Sequence, residues 1–174
     1  MEILLGSIRE LDLNEWVSIG MFIAGVAVVY LLPNILPIEA KIYSFLFGPF
    51  AAMLFDQTIG VPPFDLYDVG DGPHFPLSDM MSYAMYIPFG YIFLHLYQLI
   101  GIKGYRSIFY VLFWSFVGVA VEWFSMKVEI FHYKNGYKII YSFPIYIFVQ
   151  SVFLMIYHYG FKKSLNEKQT PFLR

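Results

Sequence analysis

The sequence predicts an all-α integral membrane protein, a bundle of about five transmembrane helices with a Pro/Gly-rich outer loop. Three observations carry that reading. Hydrophobic residues make up 59% of the chain and charged residues only 14%, against about 25% charged in ordinary globular domains. Apolar runs of spanning length recur along the chain, separated by prolines, glycines and charges. Aromatic side chains reach 21%, as expected where rings sit at headgroup depth and fill gaps between helices.

The same numbers narrow the function. The 174 residues suit one unit, without a second sizeable soluble domain. A net charge of −2 gives no basis for nucleic-acid binding. With no cysteine, thiol catalysis, disulfides and cysteine-ligated metals drop out. The first residues lack a basic segment and a small-residue cleavage site, so no cleaved signal peptide is expected.

Residues 1–15 place Ile3, Leu4, Ile8 and Leu11 at helical spacing and read as a short interfacial segment. The five-helix domain follows over residues 16–160. Its first span, 16–32, opens at Trp16, carries Gly20 and Ala24 as a small-residue pair, and stops at Pro33-Asn34. The second, 42–59, stacks Ser44, Gly48, Ala52 and Asp56 at four-residue steps. In the 60–78 loop, Pro62, Pro63, Pro73 and Pro76 rule out a continuous helix or a central strand. Phe64, Tyr67 and Phe75 make that loop apolar enough to fold back over the bundle.

The third span, 79–101, starts at Ser78 or Asp79 as N-cap, and Pro88 should kink it. The fourth, 107–126, brings Ser115, Gly118, Glu122 and Ser125 onto one helix face and leaves Phe, Leu, Val and Trp on the other. The fifth, 139–159, holds Pro144 in its first turns, and residues 161–174 form a basic cytoplasmic tail. Arg9, Lys127, Lys134 and Lys138 fall on one side of this arrangement. Lys41, Lys103, Arg106, Lys162, Lys163, Lys168 and Arg174 fall on the other. The richer side is expected to be cytoplasmic, with the N-terminus out and the C-terminus in.

That topology puts Asp56 and Glu122 at one depth, each about four residues, or roughly 6 Å, below the outer end of its span. A carboxylate inside an apolar span is costly and is a functional-site candidate by default. Asp79 opens the third span on the same face, and His132 lies in the other outer loop. The candidate ligand or ion site is therefore Asp56, Asp79, Glu122 and His132, with a cation, a proton or a small molecule as ligand. Asp65, Asp68, Asp71 and His74 are weaker candidates for a metal, since their spacing is not that of an EF-hand loop. The plainer readings are interhelical hydrogen bonding for the two acids and solvated turns for the loop. Two lone acids in low dielectric would share a proton unless a cation or a lysine such as Lys127 balances them. His95 and His158 read as hydrogen-bonded interior or interfacial histidines, and Gln150 as interhelical glue.

One motif is set aside. Asp68-x-x-Asp71-Gly72 opens like the signature of the CDP-alcohol phosphatidyltransferases, but Pro73-His74-Phe75-Pro76 follows, where those enzymes continue a helix. Three other stretches, DLYDVGDGP, VEWFSMKVEIFHYKNGYK and IIYSFPIYIF, occur in that order. Together, over roughly residues 40–160, they resemble a family of small multi-pass membrane proteins from Bacillus-like Gram-positive spore formers. The resemblance implies a bacterial plasma membrane and brings no catalytic roles with it.

The expected function is thus non-enzymatic ligand or ion binding at the outer-face acids, with the lipid bilayer as surroundings. The alternatives are a structural or interaction protein of the cell envelope and an enzyme acting on lipid or isoprenoid substrates. A cavity reaching the carboxylates would favour a site, whereas acids paired and closed off would favour packing.

Overall fold

The computed structural model describes residues 13–70 and 82–162. Its helices are α1 (Leu13–Leu31), α2 (Ile38–Asp56), α3 (Tyr86–Leu99), α4 (Arg106–Lys127) and α5 (Ser142–Ile156). A 3-10 turn, Ile139–Tyr141, leads into α5, and a π-helical stretch, Tyr157–Lys162, continues it. Four helical runs are long and apolar enough to cross a membrane: Leu13–Leu31, Ile38–Asp56, Arg106–Lys127 and Ile139–Phe161. The expected spans 16–32, 42–59, 107–126 and 139–159 correspond to these.

The third span differs from expectation. Helix α3 has 14 residues, about 21 Å at the standard rise, short of the roughly 30 Å hydrocarbon core. Residues 82–84 are helical too, but a turn at Met85 separates them from α3. Pro88 accounts for the turn: it has no N–H to offer and its ring crowds the preceding turn. The proline therefore sits in the first turn of α3, where it is tolerated, and does not kink mid-helix.

A second correction concerns the all-α class. Strands β1 (Tyr67–Val69) and β2 (Phe131–Tyr133) form a two-stranded antiparallel ribbon. Tyr67 pairs with Tyr133, Asp68 with His132 and Val69 with Phe131. Backbone bonds from Gly70 N–H to Ile130 O (3.0 Å) and from Lys134 N–H to Leu66 O (2.8 Å) extend the ladder at both ends. Beyond β2, Asn135 and Gly136 take positive φ, and the Asn135 amide donates to Asp65 O at 2.8 Å. The 60–78 loop is thereby tied, as far as Gly70, to the loop between α4 and α5.

Helix packing uses the small residues. A Cβ at Gly90 of α3 would stand 2.3 Å from the Ser44 carbonyl oxygen of α2, and one at Gly48 of α2 would stand 2.6 Å from the Tyr86 carbonyl. Only glycine permits so close an approach of two backbones. On α1 the close contact is Gly25 against Pro88, whereas Gly20 of the expected Gly20–Ala24 pair meets nothing within 4 Å. The buried core lies at the end away from the ribbon and includes Leu36, Ala40, Tyr97, Tyr110, Val111 and Tyr157.

The helices are polar inward and apolar outward. On α4, Ser115, Glu122 and Ser125 are buried while Phe109, Phe113, Phe116 and Trp123 are exposed. On α2, Ser44 is buried while Leu46 and Phe50 are exposed. A helix surrounded by water has the reverse pattern; this one suits apolar surroundings.

Candidate functional site

Asp56 is the last residue of α2, not a residue one turn below its end. The helix stops there because the chain folds back at once: the N–H groups of Ile59 and Gly60 both reach the Phe55 carbonyl, at 2.8 and 3.3 Å. Its carboxylate accepts a hydrogen bond from the Tyr67 hydroxyl of β1 at 2.7 Å, and Tyr83 hydrogen bonds the same group.

Glu122 is buried within α4. Its Oε1 accepts from the Ser142 hydroxyl at the start of α5 at 2.6 Å. The same oxygen accepts a short hydrogen bond from the Tyr133 hydroxyl of β2. The Tyr137 hydroxyl stands 3.0 Å from that of Ser142 and completes a small network. Burial, reinforced by the carboxylates, raises the Tyr67 and Tyr133 hydroxyls well above the ordinary tyrosine range, so both remain donors. Tyr137 is raised too, mainly by burial.

One cavity of about 240 Å³ touches both acids. Helices α2, α3, α4 and α5 form most of its walls, Met21 of α1 adds to them, and Tyr67, Phe131, Tyr133 and Tyr137 from the ribbon and its turn close one end. Its lining is mostly apolar and aromatic, including Trp114, Tyr86, Phe89 and Tyr146. The polar contributions besides the acids and tyrosines come from Ser125, Ser142 and Gln150. Among the described residues no lysine, arginine or histidine lines it. The Ser125 hydroxyl, one turn beyond Glu122, is buried without a hydrogen-bond partner among the described residues. Gln150 accepts from Ser115 at 3.3 Å across α4 and α5, the interhelical role expected of it.

The structure therefore joins Asp56 and Glu122 in one site, and His132 is not in it. Strand alternation turns Phe131 and Tyr133 inward and His132 outward, where it is exposed. Asp65 and Asp68 lie on that outer side, partly exposed and paired with Lys134, at 3.8 Å for Asp65 and closer for Asp68. This pairing raises the Lys134 pKa, chiefly through the Asp68 hydrogen bond. Among the described residues no group of three or more His, Asp or Glu side chains is arranged to hold a metal. Asp71, His74, Phe75 and Asp79 lie outside the described residues, as do most of the 1–15 segment and the tail beyond Lys162. Phe64, expected to fold inward, is exposed, whereas Tyr67 is buried. Lys127 does not balance the acids but stands over the Trp123 ring at 5.8 Å.

The histidines divide. His158 keeps the expected bonds: Nδ1–H donates to the Leu154 carbonyl at 2.8 Å, and Nε2 lies 3.4 Å from the Tyr97 hydroxyl, from which a neutral ring accepts. His95 is fully buried on α3, and neither ring nitrogen has a partner among the described residues, contrary to the expectation of a hydrogen-bonded interior histidine.

Sequence reasoning missed Tyr133, Tyr67 and Ser142 as ligands of the acids. A signal existed for the tyrosines: Tyr133 and Tyr137 lie in the short loop beside the end of the Glu122 helix, and Tyr67 in the loop beside Asp56. No protein-family model matches the chain, and neither a curated protein nor a solved structure is significantly similar to it.

Proposed function

We propose that the chain is a multi-pass protein of the bacterial plasma membrane that binds a small ligand, without chemistry, at the Asp56–Glu122 cavity. The ribbon end faces outward in this reading, with the N-terminus out and the C-terminus cytoplasmic. One observation carries it: a single cavity between the helices touches both spanning-segment acids. A group with no role beyond packing has no need of a cavity beside it. At about 240 Å³, the space lies just under the 300–1,000 Å³ of drug-sized pockets. A compact ligand fits it better than a whole lipid or an isoprenoid chain, which counts against the lipid-enzyme alternative. The inside-out polarity of α2 and α4, the four spanning helices and the Lys/Arg asymmetry support the placement in a membrane.

A structural role for the acids is the second reading, favoured by the hydroxyls that already bond both of them. Native mass spectrometry of gently extracted protein separates the two. Ligand binding predicts an adduct on the wild type, a free small molecule or a lipid whose headgroup reaches the cavity, that disappears in Ala52→Trp, which fills the cavity from α2. An adduct-free wild type, together with an Ala52→Trp protein that performs identically in its native cells, leaves only the structural role.

A further inference from the structure

Resting on the ligand-binding reading, we propose that the cavity is built for an organic ammonium ion carrying a compact apolar body. Charge is the first argument. Among the described residues two carboxylates line the cavity, no basic side chain does, and neither acid forms an ion pair. Negative charge in such surroundings calls for a cation.

The second argument separates an organic cation from a metal ion. A calcium-like ion collects six to eight oxygens, and magnesium demands a near-octahedral shell. Here the acids stand on different helices, each already engaged by tyrosine, and the rest of the wall is rings. Tyr86, Tyr146 and Trp114 line the cavity, and aromatic rings are the groups that attract a desolvated ammonium. The apolar wall between them suits a hydrocarbon body, not a hydration shell.

The third argument is the Ser125 hydroxyl, buried on the cavity wall without a partner among the described residues. A buried polar group left unpaired is costly. An ammonium N–H donated to its oxygen, beside the carboxylate of Glu122 one turn away, would satisfy it. This chemistry belongs equally to a free amine and to the headgroup of an aminophospholipid.

Calorimetric titration of the full chain in phosphatidylglycerol nanodiscs tests the assignment with three isosteric probes. They are cyclohexylmethylammonium, cyclohexylmethanol and cyclohexane carboxylate, with calcium chloride as the metal control. Saturable binding of the ammonium alone is expected, weakened roughly 10- to 100-fold by Glu122→Gln. Asp56→Asn serves as an independent second variant, and circular dichroism checks that both fold. Adding phosphatidylethanolamine to the nanodiscs assigns the source: competition with the probe indicates a headgroup, and its absence a free amine. Equal binding of ammonium and alcohol, unchanged in both variants, overturns the ammonium assignment and leaves a neutral-ligand cavity. Binding of calcium in place of the ammonium also overturns it while keeping a carboxylate site. If none of the four binds, the ammonium assignment fails, and an adduct in the native mass spectrum then decides whether a ligand-binding cavity survives it.

Discussion

Tyr67 and Tyr133 face each other across the ribbon, and each donates its hydroxyl to a different acid, Tyr67 to Asp56 and Tyr133 to Glu122. Asp56 ends α2 and Glu122 lies in α4, so one cross-strand pair ties together helices on opposite sides of the cavity. The ribbon is the only regular structure joining the 60–70 segment to the α4–α5 loop among the described residues.

Removing either hydroxyl should loosen that tie. A hydrogen bond to a charged group contributes about 1.5–3 kcal/mol, so Tyr133→Phe is expected to lose stability in that range against denaturing detergent. Because the two tyrosines share the ribbon, Tyr67→Phe added to Tyr133→Phe should cost less than the sum of the single changes. Strict additivity would mean that the ribbon does not couple the two helices.

Alkaline pH provides an independent reading of the same pair. Burial and the neighbouring carboxylates hold both hydroxyls above the ordinary tyrosine value of 10.0. The folded chain then keeps protons that the unfolded chain releases. The tyrosines' stabilisation is intact below about pH 10 and is lost as pH rises beyond it. Stability measured from pH 8 to 11.5 should fall at the alkaline end, and the gap between wild type and Tyr133→Phe should narrow there. A gap that stays constant or widens above pH 10 would show that Tyr133 titrates alike in both states.

The helices and the polar face of α4 were legible because each is a local pattern. Ser115, Gly118, Glu122 and Ser125 at steps of three and four sit on one side whatever the helix packs against, and they line or border the cavity. The depth of Asp56 was one turn off, since the turn that ends α2 rests on backbone bonds to Phe55 that have no side-chain signature. The ribbon was not legible. Its strands have three residues each and lie about sixty residues apart in the chain, so neither a hairpin turn nor a long alternation marks them. With the ribbon unseen, His132 looked like a neighbour of Glu122, and only the strand alternation turns it away. The break at Met85 illustrates the same limit: Pro88 signalled a disturbance, but the choice between a kinked and a restarted helix depends on how α1 packs against it.

The α2–α3 contact can be tested at one atom. A methyl group at Gly90 would meet the Ser44 carbonyl at 2.3 Å, and backbone on both sides gives little room to relax. Gly90→Ala should therefore destabilise by about 1–3 kcal/mol, the range for overpacking a filled core. Gly20→Ala, where nothing lies within 4 Å, is the control and should be neutral or slightly stabilising through better helix propensity. If the two variants unfold at the same detergent concentration, the close approach of α2 and α3 is wrong.

His95 poses the sharpest single-residue question outside the cavity. It is fully buried on α3, its ring tilted by 31° against that of Tyr91 at 5.4 Å between centroids, with neither nitrogen partnered among the described residues. An imidazole has a donor and an acceptor to satisfy, and leaving such groups unpaired costs about 1–3 kcal/mol. Replacing it with a residue of similar bulk and no polar atoms removes that cost. His95→Leu is thus expected to raise stability, or leave it unchanged where the altered shape offsets part of the gain. His95→Gln keeps the polarity and should not stabilise. The comparison is informative in either direction: a His95→Leu chain that unfolds more readily than His95→Gln would mean that the imidazole is held by a partner beyond the described residues, in a ligand or in a second chain.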